Sequence, residues 1–387
     1  MTYRAPSHTF KKFRRGWTTT GRIARESERG DNTMLFLSSL EKTQWTEFGC
    51  DIAKRGLASA DFRGDVRANL LPMFRFYIGA LLTATGQDKL GRAWITSGAL
   101  IEENGVFFSA HLNGFLQRHQ DRLEMPEKVF ADPRPYVHFT TVPIMQQARA
   151  CFLTQCGRTL PKIKHPFRLM DIGCGDGGLT AGLLNHLKAT GKIDEIGEVL
   201  LVDPSPAMLA LAKETVGKTI PSACIKTLNH RIEQVAGELN AHYDVALCSL
   251  SYHHMPYEQK VIHLNELKPW IDHLVLFELD ANHDFPELHT PELAASVYQS
   301  YGRLIDFVYA HDAPIELTQA CVDRLVMTEA VSLLTQRRGE RNDYHMLHTQ
   351  WQSLFEQTLG PEFLCLCDSP CYADEYFSLF IMHYGRG

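Results

Sequence analysis

The stretch "LMDIGCGDGGLT", Leu169 to Thr180, sets Asp171 two residues before Gly173 and follows with Gly175, Gly177 and Gly178. Glycine allows a positive φ and lets a ligand lie against backbone where a Cβ would collide. Two ligands suit such a turn: a dinucleotide, whose pyrophosphate takes the N-terminus of the next helix, or an adenosyl ligand without phosphate. Asp171 separates them, because a carboxylate repels pyrophosphate and attracts an ammonium or sulfonium. Asp203, in "LVDPSPAML", can accept both ribose hydroxyls, which serves either ligand. Further along, His253 and His254 in "SLSYHHM" can move a proton near neutrality, or can simply cap a loop and face solvent. Glu278, Asp280, His283 and Asp284 in "FELDANHD" gather after another apolar run and can line the same mouth. One histidine with three carboxylates is also metal-ligand chemistry, but no ligand spacing supports it and no metal is expected. In "RRGERNDYHMLHTQW" a helix would put Tyr344 and His348 on one face, with Arg341 a turn earlier and His345 beside them. Such a stripe either recognises an anionic or phenolic molecule or is a polar surface helix packing Trp351 inward.

These residues need elements to position them. From about Ser39 to His119 apolar residues recur three and four apart, as in "NLLPMFRFYIGALLTATG", which predicts helices and no strands. "MPEKVFADPRPYVHF", with three prolines, reads as a linker, and "PIMQQARACFLTQC" as a helix leading into the second half. From Phe167 short apolar runs alternate with helical stretches: "FRLMDI", "EVLLVD", "ACIKTL", "YDVALCSL" and "HLVLFELD" read as strands. Helices are expected from Leu179, from Pro206, near Ile232 and from Tyr257. Continuous apolar strands of this kind belong to a doubly wound α/β sheet buried on both faces. The alternation then stops for a mostly helical segment, 281–360, and "FLCLCDSPCYADEYFSLFIMHY" closes the chain as an antiparallel hairpin. The expected division is a basic tail at 1–35, a helical domain at 36–130, a linker and lead-in helix at 131–165, and an α/β domain at 166–387. In the last of these, 281–360 forms a helical lid.

In these motifs the chain resembles the class I S-adenosylmethionine-dependent methyltransferases. The matching stretches are "LMDIGCGDGGLT", "LVDPSPAML", "LNHRIEQV" and "YDVALCSLSYHHM", within Phe167 to Tyr384 and interrupted by the insertion. The resemblance implies a Rossmann-like sheet with S-adenosyl-L-methionine as cofactor. It implies that Asp171, Gly173 and Gly175 flank the methionine part and Asp203 the ribose, with Pro204, Met208, Asn229, His230 and Arg231 near the adenine. Cys174 and Ser249 complete the expected cofactor set, the Cys174 side chain being read as small packing. An acidic residue is common where Asn229 and His230 stand, so the adenine contacts depart from the pattern. "SLSYHHMP" is similar to small-molecule and quinone-type members and unlike the Asn-Pro-Pro-Tyr of amine and amide methylators. The implied reaction is in-line methyl transfer to a small acceptor, with His253, His254, Glu278, Tyr344 and His348 as the acid/base candidates.

Composition sets the remaining expectations. No apolar run approaches the roughly 20 residues of a membrane span, and charge stands where a signal peptide would be apolar, so a cytoplasmic enzyme is expected. Ten cysteines, mostly inside apolar runs, read as reduced thiols, and Cys365, Cys367 and Cys371 in "CLCDSPC" as packing or surface groups. The net charge is −6, yet residues 1–30 carry eight Lys/Arg against two Glu. That tail reads first as a solvated extension; it could also touch nucleic acid or an anionic membrane, which keeps a protein or tRNA acceptor as the alternative to a small molecule. A third alternative is a methyltransferase-like binding protein without catalysis.

Overall fold

The computed structural model of the chain describes residues 36–102, 106, 108–126 and 132–387; the basic tail expected at 1–35 lies outside them. Helices come first: α1 (Ser39–Arg55), α2 (Leu71–Ala84), α3 (Asp88–Ala99), α4 (Phe108–Arg118), α5 (Arg134–Thr141) and α6 (Pro143–Thr159). α1 begins where Ser38 and Glu41 cap each other reciprocally and ends at Gly56, which is left-handed at φ 62°. Both ends follow from side-chain and backbone chemistry legible in "SSLE" and "KRG".

The alternating region forms β1 (Phe167–Ile172), α7 (Gly178–Ala189), β2 (Ile196–Val202), α8 (Pro206–Gly217), β3 (Ile225–Leu228), α9 (Val235–Glu238), β4 (Tyr243–Ser249), α10 (Tyr257–Leu267) and β5 (Ile271–Leu279). Four helices follow, α11 (Pro291–Ala310), α12 (Ile315–Cys321), α13 (Met327–Thr335) and α14 (His348–Leu359), with a π turn at Val322–Val326. The chain closes with β6 (Phe363–Ala373) and β7 (Ser378–Arg386). One seven-stranded sheet runs β3-β2-β1-β4-β5-β7-β6, parallel from β3 to β5, with β7 antiparallel to both β5 and β6. The expected fold class is therefore the observed one: a doubly wound sheet with a C-terminal antiparallel pair, helices before it and helices inserted after β5.

Because strand side chains alternate, neighbouring residues enter different layers. Leu169, Leu201, Leu247 and Phe277 join a cluster that continues through α6 and α7 into α11 and the helices α1–α4. Met170, Ile172, Leu200, Cys248 and Leu276 join a second cluster with Leu264 and Leu267 of α10 and Trp351, Leu354 and Phe355 of α14. Phe76 of α2 packs at 5.0 Å from Phe108 of α4 and 5.3 Å from Tyr298 of α11, ring centre to ring centre.

Two expectations need correction. The proline-rich linker is helical in its second half, because Pro133 and Pro135 stand at the start of α5, where a missing N–H breaks no intrahelical bond. The helix expected to carry Tyr344 and His348 on one face does not form: residues 336–347 are non-helical and α14 starts at His348. Asp343, Tyr344, His345 and Met346 are all buried, a run that a one-faced surface helix cannot bury. Their backbone bonds go to other segments. The Tyr344 N–H donates to the His253 carbonyl at 2.6 Å, and the His345 carbonyl accepts from the N–H groups of His283 and Asp284 at 2.9 and 3.0 Å.

Candidate active site

A cavity of ≈ 400 Å³ opens beside the carboxyl ends of β1, β2 and β4, where open α/β sheets bind ligands. Gly173, Gly175, Asp203, Pro204, Met208, Arg231, Leu250, Ser251 and His254 line its sheet side, and Tyr136 of α5 stands among them. The opposite wall comes from the insertion: Leu325 on the π turn, Thr328 and Glu329 on α13, and Arg341, Asn342 and Asp343 on the non-helical segment. A wider groove of ≈ 780 Å³ between α5 and α12 touches none of the glycine-loop residues. Its ionisable groups include Asp132, Arg134 and Arg324, and Asp132 is paired with both arginines.

The glycine loop is built for close approach by the chain itself. A Cβ on Gly173, at φ 79°, would meet the Ser251 Cβ at 2.3 Å, and one on Gly175, at φ 54°, would meet the Tyr136 hydroxyl at 2.5 Å. Ser251 reaches that place because Leu250 is left-handed at φ 49°, an uncommon conformation for leucine. The Ser251 hydroxyl then donates to the Ile172 carbonyl at 2.6 Å and its N–H to Glu278 Oε1 at 3.0 Å. Asp203 braces the loop from the other side, accepting from the Gly175 N–H at 3.1 Å and the Ser205 N–H at 2.8 Å. Burial raises the Asp203 carboxyl above its usual range, against the two backbone bonds.

Asp171 lies beneath the loop, one oxygen accepting from the Thr180 hydroxyl and the other without a partner. Burial, opposed by Thr180 and reinforced by the charges of Asp203 and Asp176, pushes it up to about 7. Asp176 accepts from the Gly178 N–H at 3.0 Å, so the N-terminus of α7, where a pyrophosphate would bind, already carries a carboxylate of its own. The acidic surroundings and the braced ribose-type carboxylate fit an adenosyl ligand bearing positive charge and do not fit a dinucleotide.

The other sequence candidates fall in three places. His253, buried behind the cavity wall, holds Glu278 through Nδ1 at 2.9 Å and stacks on His345 at 3.9 Å between ring centres. His254 stands at the wall, its Nδ1 3.2 Å from Asp343 Oδ1 and 3.0 Å from the Asn342 carbonyl oxygen. His345 lies 3.6 Å from Glu278 and 3.8 Å from Glu329. Burial, with the charge of His345, lowers His253 to about 4. Enclosure opposes protonation of His254 too, but the close Asp343 carboxylate raises it to about 9. His345 reaches about 9 against its burial through Glu278 and Glu329. Glu278 is held below the carboxylate range by His253 and His345 despite its burial.

The structure does not bring Tyr344 and His348 to the cavity. Tyr344 is buried against Lys260, whose ammonium donates to its carbonyl at 2.6 Å, and His348 faces Asp368 of β6. Asn229 donates to the Asp203 carbonyl at 3.0 Å, while His230 lies 3.9 Å from Glu238. Cys174 is buried, and Ser249 ends β4. Cys174 and Ser249 do not line the cavity, nor do Asn229 and His230. All ten cysteines are free thiols. Sequence reasoning missed Tyr136, Leu250, Glu329 and Asp343. Tyr136 sat in the stretch read as linker, and the two acids gain meaning only when the insertion folds against β4 and β5.

Comparison with known proteins follows the same region. Residues 170–270 match the family model described as a methyltransferase domain. No curated protein matches the chain. Among solved structures, the chain is similar to SCL7 of Oryza sativa at 13% identity and TM-score 0.56, covering 81% of this chain and 99% of that one. A magnesium protoporphyrin IX methyltransferase from Synechocystis PCC 6803, with bound SAH, is 12% identical with TM-score 0.36, covering 79% of this chain and 96% of that one. No helix among the described residues is long and apolar enough to cross a membrane. With its parallel sheet, its glycine loop and this domain match, the chain contains a class I, Rossmann-like methyltransferase domain.

Proposed function

We propose that the chain is an S-adenosylmethionine-dependent methyltransferase whose acceptor is a small molecule held between the sheet and the inserted helices. The observation that carries this reading is the carboxylate set around the glycine loop: Asp171 below it, Asp176 on the helix terminus and Asp203 at the cavity wall. Such a set repels phosphate and leaves Asp203 lone pairs for a ribose diol. The cofactor, when bound, supplies a methyl group on a positively charged sulfur.

On this reading Asp203 orients the ribose, and Met208 and Ile232 offer apolar surface to the adenine. The acceptor stands toward His254, Glu329, Asp343 and Arg341. The charges of His254 and Arg341 suit an anionic or phenolic molecule, and Glu329, kept ionised against burial chiefly by His345, receives its proton. His253 and Glu278 act as positioning residues behind that wall. Tyr344 and His348 take no part in proton transfer. The cavity, at ≈ 400 Å³, has the size of a small-molecule site, which supports a small acceptor over a macromolecular one.

Calorimetry with S-adenosylhomocysteine and with NAD tests the reading, and binding of the first alone is expected. Asp203→Ala should weaken S-adenosylhomocysteine by about 1.5–3 kcal/mol, the worth of two hydroxyl bonds to a carboxylate. Unchanged affinity in that variant, or tight NAD binding by the wild type, would overturn the assignment.

A further inference from the structure

The wall of this cavity holds more ionisable groups than a proton transfer requires, and their arrangement is that of ligands. Both carboxylate oxygens of Asp343 are fully buried, and no hydrogen bond of good geometry reaches either. An orphaned buried carboxylate is costly unless a cation or a donor faces it. Two imidazole nitrogens do face it: His254 Nδ1 at 3.2 Å and His253 Nε2 at 3.7 Å from Oδ1. The three donor atoms lie within 4.8 Å of one another. Two of these separations are close to the ~3.3 Å edge of a tetrahedron drawn by bonds of about 2.0–2.1 Å.

The atoms behind the donors fit as well. His253 gives its other nitrogen, Nδ1, to Glu278 Oε2 at 2.9 Å, the carboxylate–histidine arrangement that fixes ring orientation and tautomer in metal sites. Nε2 is thereby left bare toward Asp343. At His254 the same Nδ1 faces both Asp343 and the Asn342 carbonyl oxygen, so a proton there sits where a cation would gain a further oxygen donor. Asp343 and His254 also line the cavity, which leaves an open position toward whatever occupies it.

We propose that His253 Nε2, His254 Nδ1 and the Asp343 carboxylate bind a divalent first-row transition cation whose open coordination position faces the acceptor space. The donor set, two imidazoles and a carboxylate with a carbonyl nearby, suits Zn²⁺, Co²⁺ or Fe²⁺ in preference to Mg²⁺ or Ca²⁺. The proposal deepens the methyltransferase reading and rests on it for the role of the open position, which would take an acceptor oxygen and favour its ionised form. Glu329, on the same wall and outside the ligand set, remains to take the released proton.

Tag-free protein stripped with chelator is titrated with Co²⁺ and followed by its visible ligand-field absorption, with S-adenosylhomocysteine affinity measured on the same samples. The wild type should bind one equivalent, displaced by Zn²⁺. His254→Ala, at the exposed wall, and Asp343→Asn should each weaken Co²⁺ by about 100-fold or more while S-adenosylhomocysteine affinity is retained, which shows that the variants fold. Glu329→Gln should bind Co²⁺ as the wild type does. No absorption change in the wild type, or equal binding by His254→Ala, would overturn the site and leave a proton-sharing imidazole–carboxylate network. Co²⁺ binding without S-adenosylhomocysteine binding would instead overturn the cofactor reading and keep the metal.

Discussion

At the scale of single residues, Asp171 and the glycines above it do different work from what their spacing suggests. Gly173 and Gly175 make room for Ser251 and Tyr136 of the same chain, so their bareness is first a packing requirement and only then a ligand's opportunity. Asp171 keeps the electrostatic part. Its carboxyl is raised to about 7 by burial and by Asp203 and Asp176, with Thr180 and Arg149 acting the other way. A carboxyl that holds its proton up to that pH gains full charge only above it, and a cationic ligand favours the charged form. Affinity for S-adenosylmethionine should therefore rise about tenfold between pH 6 and 8, with proton release on binding below pH 7. Asp171→Asn, titrated in the same buffers, cancels the ligand's own ionisation and should remove the rise. A wild-type profile parallel to that of the variant would mean that Asp171 does not sense the ligand.

At the scale of elements, the segment 336–347 supplies Arg341, Asn342 and Asp343 to the cavity wall, and Lys260 of α10 anchors that segment. The Lys260 ammonium is fully buried, 3.2 Å from Asp284 and donating to the Tyr344 carbonyl at 2.6 Å, with the Trp351 ring centre 4.8 Å away. Burial lowers it to about 8, against the pull of Asp284. Arg338 also holds Asp284, at 2.8 Å. Lys260→Met fills the space but leaves the Tyr344 carbonyl without its donor and Asp284 with one cation instead of two. Breaking a buried pair commonly costs 3–5 kcal/mol, and the remaining Arg338 places this change at about 3 kcal/mol. Urea unfolding measures it, and a loss below about 1 kcal/mol would show that Arg338 alone anchors the segment.

At the scale of the molecule, the helices before the sheet and those inserted after β5 share one hydrophobic cluster with one face of that sheet. Phe76 stands where they meet, between Phe108 and Tyr298, and Val106 approaches Gly302 so closely that a Cβ there would lie 2.7 Å from its Cγ1. Helices that bury their apolar faces on one another lose that burial together. We expect a single unfolding transition, coincident by circular dichroism and tryptophan fluorescence, and a loss of about 3–5 kcal/mol for Phe76→Ala. Two separable transitions would mean that α1–α4 fold apart from the sheet.

What the sequence determined is what local patterning can carry. Buried parallel strands are continuous apolar runs, so "FRLMDI" and "YDVALCS" were legible as β1 and β4. The starts of α8 and α10 stood at Pro206 and Tyr257, and the position of Asp203 at the end of β2 followed from the same pattern. Gly173, Gly175, Asp203, Pro204 and Met208 were legible as residues of one cavity because they stand in consecutive strand-to-helix turns. The opposite wall of the cavity was not. Glu329 and Asp343 meet His254 only after α13 and the segment beyond it return to the sheet, and chain distance hides such neighbours. The helical period read into Arg341, Tyr344 and His348 failed because tertiary partners claimed the backbone: His253, His283 and Asp284 bond residues 344 and 345, and Lys260 bonds the Tyr344 carbonyl. A helix needs those same N–H and C=O groups for itself, so only the folded molecule could decide between the two.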